Sequence, residues 1–489
     1  MRKKIVYILV FSLVFLFCME AGAEVDFQSG RYRELSRNTN EKPEIEIPEY
    51  RQVDLENGIS LYMLQDRELP YVELRGYIKG GSVQEPSEVA GITGFMVNMM
   101  NTGTRNYGEL ELNQYKEKYA LDFNLGFDLH NLSFSGNALS TEKEELLSLA
   151  EEMLLQPKFD TSYRQRLLNE RERMLEQART EQESLAEMYF YRNIYSDHPY
   201  SYTSSVESLL QALERYSPDN LSDYYRRLFV PENTVIMVYG DFAYDDMKEK
   251  IRRKFGEWTG QEDEDLEAPP AVEKSEDNFG RVILVDKQDA TQAKILMGHN
   301  LKIDDFRERI NFSLANRVFG GGDFTCRLFE NLRDEKGYVY DIGSSYTDRK
   351  LGGTYIINTS VKPGKTYETI ELIKDEIKAI TEGEDEIDNR ELFNVKNQRN
   401  AFLPENYRYR EDVFAEEVYN IEVEGRESGY LRRYIDAYNE AGVKEVNEAF
   451  RKHISLGELL TVIVGKKEDI LPAFEEVGIE VEVVEVKSQ

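Results

Sequence analysis

Apolar and polar positions along the chain fall into two kinds of run, short alternating ones and longer ones with helical spacing. Ile59-Ser60-Leu61-Tyr62-Met63 follows the turn pair Asn57-Gly58, and Val72 to Ile78 alternates apolar with polar residues. Both stretches predict strands. Spacing of three and four predicts helices over Glu88–Met100, Thr141–Leu155, Tyr163–Ala186 and Asn220–Phe229, the second of them opening on an acidic turn. A different signal sits at the start. Basic Arg2, Lys3 and Lys4 precede an apolar run from Ile5 to Phe17 that closes on Ala21-Gly22-Ala23. That run is too short for a membrane span and reads as a secretory signal peptide over residues 1–23.

The chain also repeats itself once. YYRRLFVPENTVIMVYG (224–240) aligns without a gap to AFRKHISLGELLTVIVG (449–465), an offset of 225 residues from Gly240 to Gly465. Such a long period marks a tandem duplication, since solenoid repeats are much shorter. Between the copies, QEDEDLEAPPAVEKSEDN (261–278) is acidic, holds two prolines and has few apolar anchors, as an exposed linker would. The expected organisation is therefore a signal peptide over 1–23, a loose arm over 24–49, a first domain over 50–258, a linker over 259–278 and a second domain over 279–489. Strands mixed with helices in each half predict an α+β fold of two tandem α/β sandwiches.

Charge and cysteine content narrow the function classes. With 92 acidic against 61 basic residues, the formal net charge is −31, which repels nucleic acid and anionic membranes. Cys18 and Cys326 are the two cysteines, so neither a disulfide framework nor a cysteine metal site is expected. Cys18 offers an alternative lipidation point, disfavoured by the bulky Phe17 before it. The four histidines, His130, His198, His299 and His453, are at least 68 residues apart, which excludes a helical ligand pair. His198 reads as a turn cap, His130 as a strand residue, and His299 and His453 as surface or domain-edge positions. Gly320-Gly321-Gly322 lacks the Gly-Lys-Ser/Thr that a phosphate loop needs and reads as a turn.

Gly81-Ser82 followed by GITGFMVNMMNTGT (91–104) resembles the metal-binding region of the pitrilysin/insulinase zinc peptidases. Further landmarks occur in the family's order: Leu55 to Ile59, Pro70, Asp197-His198-Pro199-Tyr200, Pro231, Gly240-Asp241, and GGGDFTCRLFENLRDEKGYVY (320–340). The resemblance implies two homologous domains arranged as half of a clamshell. It also implies a helix carrying H-x-x-E-H, whose histidines bind zinc while the glutamate acts as general base. Here those positions hold Gly94, Val97 and Asn98, none of which can do that chemistry. The third ligand position falls on Glu176 or Gln177. Arg333 and Tyr340 match a family pair that holds the substrate and polarises its scissile carbonyl.

The resemblance therefore implies a partner subunit, inactive alone and binding no zinc itself. It would be exported to the periplasm or another extracytoplasmic space. There it would pair with an H-x-x-E-H chain that carries the zinc, and would present Arg333 and Tyr340 to peptide substrate. The alternatives are a non-enzymatic scaffold or peptide-binding protein on the same fold, and an active peptidase with a displaced metal site.

Overall fold

The computed structural model describes residues 42–203, 205–260, 269, 271–273, 276–322 and 324–485. The segment expected to be a signal peptide, with Cys18, and most of the expected N-terminal arm lie outside them, as does the middle of the acidic stretch 259–278.

Two six-stranded mixed sheets form the frame. The first comprises β1 (Arg51–Asp54), β2 (Ser60–Gln65), β3 (Tyr71–Lys79), β4 (Asp122–Phe127), β5 (Asn131–Leu139) and β6 (Thr234–Gly240), in the order β1-β2-β6-β3-β5-β4. The second comprises β7 (Val282–Asp286), β8 (Ala293–Leu301), β9 (Val339–Thr347), β10 (Gly353–Val361), β11 (Leu460–Gly465) and β12 (Glu482–Glu485), in the order β12-β7-β11-β8-β10-β9. From β2 and β7 onward the two orders are the same, with β2–β6 and β7–β11 parallel and the pairs beyond them antiparallel. The outer strands differ, because β1 runs antiparallel to β2 whereas β12 runs parallel to β7. Strands β6 and β11 are the unbroken apolar runs of the repeat, buried on both faces, which is what a central strand requires. Strand β3 alternates strictly between buried and half-buried positions.

Helices cover one face of each sheet from within the same half, giving two separate cores. In the first half these include α1 (Ile92–Thr102), α2 (Ser162–Ala178) and, after α3 (Gln182–Tyr195), α4 (Pro218–Leu228). In the second half α6 (Val443–His453) plays this part, whereas α5 (Arg410–Glu422) does not. The duplication is visible to the residue, since α6 has the bounds of α4 displaced by the same 225 positions.

Each sheet's other face is covered by a helix donated from the opposite half. Leu185, Phe190 and Ile194 of α3 pack on Ile283, Val285, Leu296, Val462 and Val464 of the second sheet. Reciprocally, Phe414 and Val418 of α5 pack on Tyr62, Leu64, Val235 and Met237 of the first. Polar contacts fix both helices. Gln182 donates to the carbonyls of Gln292 (2.8 Å) and Val464 (3.1 Å), and Glu422 accepts from Tyr62 (2.6 Å) and Lys79 (2.9 Å).

This exchange corrects the expectation of one helix over Tyr163–Ala186. The chain breaks at Arg179–Glu181, where Glu181 is extended (φ −83°, ψ 135°), because α2 serves its own core and α3 crosses to the other sheet. The helix expected from Glu88 starts instead at Ile92, after left-handed Gly91 (φ 84°). The Asn57-Gly58 turn forms as expected, with Gly58 left-handed (φ 94°), and Asn57 donates to the carbonyls of Phe255 and Trp258. Ile45, at the described end of the arm, packs against Leu403, Leu431 and Ile435. Linker residue Val272 bonds to Leu351 (2.7 Å). Among the described residues no helix is long and apolar enough to cross a membrane.

Phe190 is fully buried in the α3 cluster, so Phe190→Ala is expected to cost about 3–5 kcal/mol. Urea denaturation followed by tyrosine fluorescence and circular dichroism checks this. The helix belongs to one half and its socket to the other, so both signals should shift together.

Candidate functional site

Helix α1 begins in a buried polar cradle. The Glu85 carboxylate accepts from the backbone N–H of Gly91 and of Thr93 (2.9 Å), satisfying donors that a helix start leaves open. Three phenols close around it. Tyr202 donates to the Glu85 carbonyl (2.7 Å), Tyr216 to that of Ala90, and Tyr224 to that of Gly81 (3.2 Å). Thr93 in turn donates to the Tyr224 hydroxyl (3.1 Å). Burial pushes the Glu85 carboxyl up to about 7, against the lowering effect of its hydrogen bonds.

The three positions of the metal motif follow on α1. Gly94 and Val97 are buried and Asn98 is exposed. A Cβ at Gly94 would lie 2.5 Å from the ring tip of Phe127, so an aromatic ring occupies the space over the first ligand position. Glu176 and Gln177 sit near the end of α2, which packs against α1. They face Arg179 (3.6 Å) and Glu181 (3.1 Å) respectively. Among the described residues no three of His, Cys, Asp and Glu are placed to share a metal. A glycine, a buried valine and a neutral amide under a phenyl ring do not fit zinc.

The histidines are spread over the two halves. His130 lies in the turn before β5, not in a strand, and bonds to the Tyr200 hydroxyl (2.6 Å). Burial lowers its pKa to about 4. His198 caps a short helix, its Nδ1 accepting from the N–H of Tyr200 (3.1 Å), in keeping with its expected turn-cap role. Both others were expected at surface or domain-edge positions, and the expectation is corrected for His299. His299 is a buried residue of β8, with its face set by the strand's alternation, and His453 is half-buried against Glu308 (2.8 Å).

Arg333 and Tyr340 do come together. The Arg333 guanidinium lies 5.2 Å from the centre of the Tyr340 ring, 4.5 Å from that of Phe329 and 5.7 Å from that of Phe324. Tyr340 is 81% exposed, so the stack presents a cation and a phenol to solvent. Behind it, the chain widens into a π-helical turn over Arg317–Gly321. Gly320 makes room there for the Ser344 hydroxyl, which donates to Asn316 (2.6 Å). Close packing thus accounts for the glycine run.

The duplicated sheets, the crossed helices and the blank helix α1 coincide with two sequence matches. The family model described as Insulinase (Peptidase family M16) matches residues 64–205, and the one described as Peptidase M16 inactive domain matches residues 215–399. The chain belongs to the M16, or insulinase, peptidase family. It is a member without the H-x-x-E-H ligands and base. The "Non-peptidase homolog YmxG" of Helicobacter pylori is 20% identical over 392 residues, which is 79% of this chain and 87% of that one. The crystal structure of a peptidase M16 inactive domain from Pseudomonas fluorescens superposes with a TM-score of 0.74 at 20% identity, covering 86% of this chain and 98% of that one. The periplasmic protease PqqL from Escherichia coli superposes with a TM-score of 0.71 at 14% identity, covering 87% of this chain but 47% of PqqL. This chain therefore matches about half the length of PqqL.

Glu85, Phe127 and Asn101 escape a sequence reading of the site. Asn101, one turn beyond Val97, uses its carboxamide to bond both the N–H and the carbonyl of Leu125 (2.9 Å each) on edge strand β4. Nothing in the spacing of these residues signals those contacts, which arise from long-range packing.

Glu85 sets a pH dependence. Its folded pKa of about 7 lies above the ordinary 4.5. Its contribution to stability is complete below 4.5 and is lost as pH rises through about 7. Glu85→Gln, neutral at every pH, is expected to flatten the fall in urea midpoint between pH 5 and pH 8.

Proposed function

We propose that this chain is the non-catalytic, substrate-holding subunit of a two-chain exported zinc metallopeptidase of the M16 family. One observation carries the reading: the metal helix keeps its place with Gly94, Val97 and Asn98 on it, while Arg333 and Tyr340 stand stacked and solvent-facing. A scaffold retained without its chemistry, beside a retained carbonyl-binding pair, suits a subunit that completes another chain's site. A guanidinium and a phenol both donate hydrogen bonds to a developing oxyanion. The zinc and the general base then belong to the partner, an exported H-x-x-E-H chain. The basic start and the apolar run from Ile5 to Phe17 support export.

Native pull-down of the tagged protein, with mass spectrometry of what co-purifies, tests the pairing. A stoichiometric companion with H-x-x-E-H is expected, and a lone homodimer overturns the proposal. In the complex, Arg333→Ala and Tyr340→Phe are each expected to lower turnover about a hundredfold while assembly is unchanged. Undiminished turnover in both variants would sink the carbonyl-binding role. EDTA is expected to abolish turnover of the complex yet leave the Tm of this chain alone unmoved.

A further inference from the structure

The face of the second sheet that receives α3 changes character along its strands. Under the helix it is apolar, with Leu296, Ile356, Leu460 and Val462. Past the start of α3 the same face turns polar. Lys294, Asn358 and Ser360 join Tyr340, Asp341 and Ser345 there to line an open groove of about 530 Å³. The groove therefore begins at the Arg333–Tyr340 stack.

Its lysine and its asparagine amide are already engaged by α3. The Lys294 ammonium is ion-paired to one carboxylate oxygen of Glu183 on α3. The Asn358 amide donates to the other (3.2 Å). That bond fixes which way the carboxamide points, and its Oδ1 is left buried without a partner among the described residues. Gly343, opposite Asn358 in the β-ladder, has no side chain to fill the space. Asp341 adds an exposed carboxylate to the same groove. A groove whose own lysine is already ion-paired and that keeps an exposed carboxylate suits a cationic ligand with several N–H donors.

On the first sheet, part of the backbone of edge strand β4 is already engaged by side chains. On β4 the carbonyl of Phe123 accepts from Lys116 (2.6 Å), and both backbone groups of Leu125 are taken by Asn101. Strand addition needs those groups.

We infer that the groove between Tyr340 and Asn358 is a binding site for a lysine or arginine side chain of an extended polypeptide. This rests on the substrate-holding reading and adds the side chain that is selected. The polypeptide backbone lies against the Arg333–Tyr340 stack, and its cation reaches the Asp341 carboxylate. A net charge of −31 favours the approach of such a segment.

The test uses the full chain alone and fluorescence anisotropy. The probes are a fluorescein-labelled nonapeptide with one central arginine and the same peptide with citrulline in its place. The arginine peptide is expected to bind about tenfold more tightly. Asp341→Asn should remove most of that difference while keeping the wild-type Tm. Equal affinity for the two peptides overturns the inference, and so does failure of both to bind. Neither result touches the turnover experiment on Arg333 and Tyr340, so failure here is distinct from failure of the subunit assignment.

Discussion

Everything in this molecule depends on how two sheets with two apolar faces each are kept from water. Helices within each half bury one face, and the central strands β6 and β11 are too apolar on the second to leave it bare. The solution is an exchange, in which α3 crosses onto the second sheet and α5 onto the first. Neither half can bury its own sheet completely, so the duplication is a structural pair and not two beads on a string. The contacts that matter are Phe190, Ile194, Phe414 and Val418, together with the polar anchors of Gln182 and Glu422.

The exchange also determines where function can reside. A single helix covers a strip of a six-stranded sheet, and the remainder must be polar to stay exposed. In the second half that remainder is the groove lined by Lys294, Asp341 and Asn358. In the first it holds Glu73, Arg75, Tyr77 and Ser133, with Tyr419 of α5 as one wall. Each uncovered strip thus arises from the same packing constraint. The two strips differ in chemistry because the halves have diverged where packing no longer restricts them.

Much of the fold was legible in the sequence, for reasons that can be named. Strands β2 and β3 and the turn at Gly58 follow from alternation and turn chemistry, both local properties. The repeat was visible because α4–β6 and α6–β11 do the same structural work, so apolar residues recur at equal spacing. The break at Arg179–Glu181 was not legible, because no glycine or proline marks it and its cause is a sheet in the other half. His299 was read as a surface or domain-edge position although it lies in the apolar run from Ile295 to Leu301. A closer reading of that run's alternation would have placed it inside. At the site, the blank positions Gly94, Val97 and Asn98 were readable from the resemblance to the family's metal helix. Phe127 over Gly94 and the carboxylate of Glu85 under the helix were not.

Those two hidden residues explain how the helix outlived its motif. A metal helix could owe its position to ligand bonds, and would then loosen once the ligands are gone. Helix α1 does not depend on them. Its first turn is satisfied by Glu85, and its apolar side buries Ile92, Phe95, Met96, Met99 and Met100 in the core. The space that a ligand side chain would need at Gly94 is filled by the Phe127 ring. Replacing the first ligand by glycine and the general base by valine removes chemistry and leaves the helix packed in the core, where a cavity would be costly. Conservation of shape and loss of reactivity are therefore physically independent here. The same independence lets the second half keep an exposed Arg333–Tyr340 stack that its own fold does not need, since Tyr340 buries little and pairs mainly with that arginine.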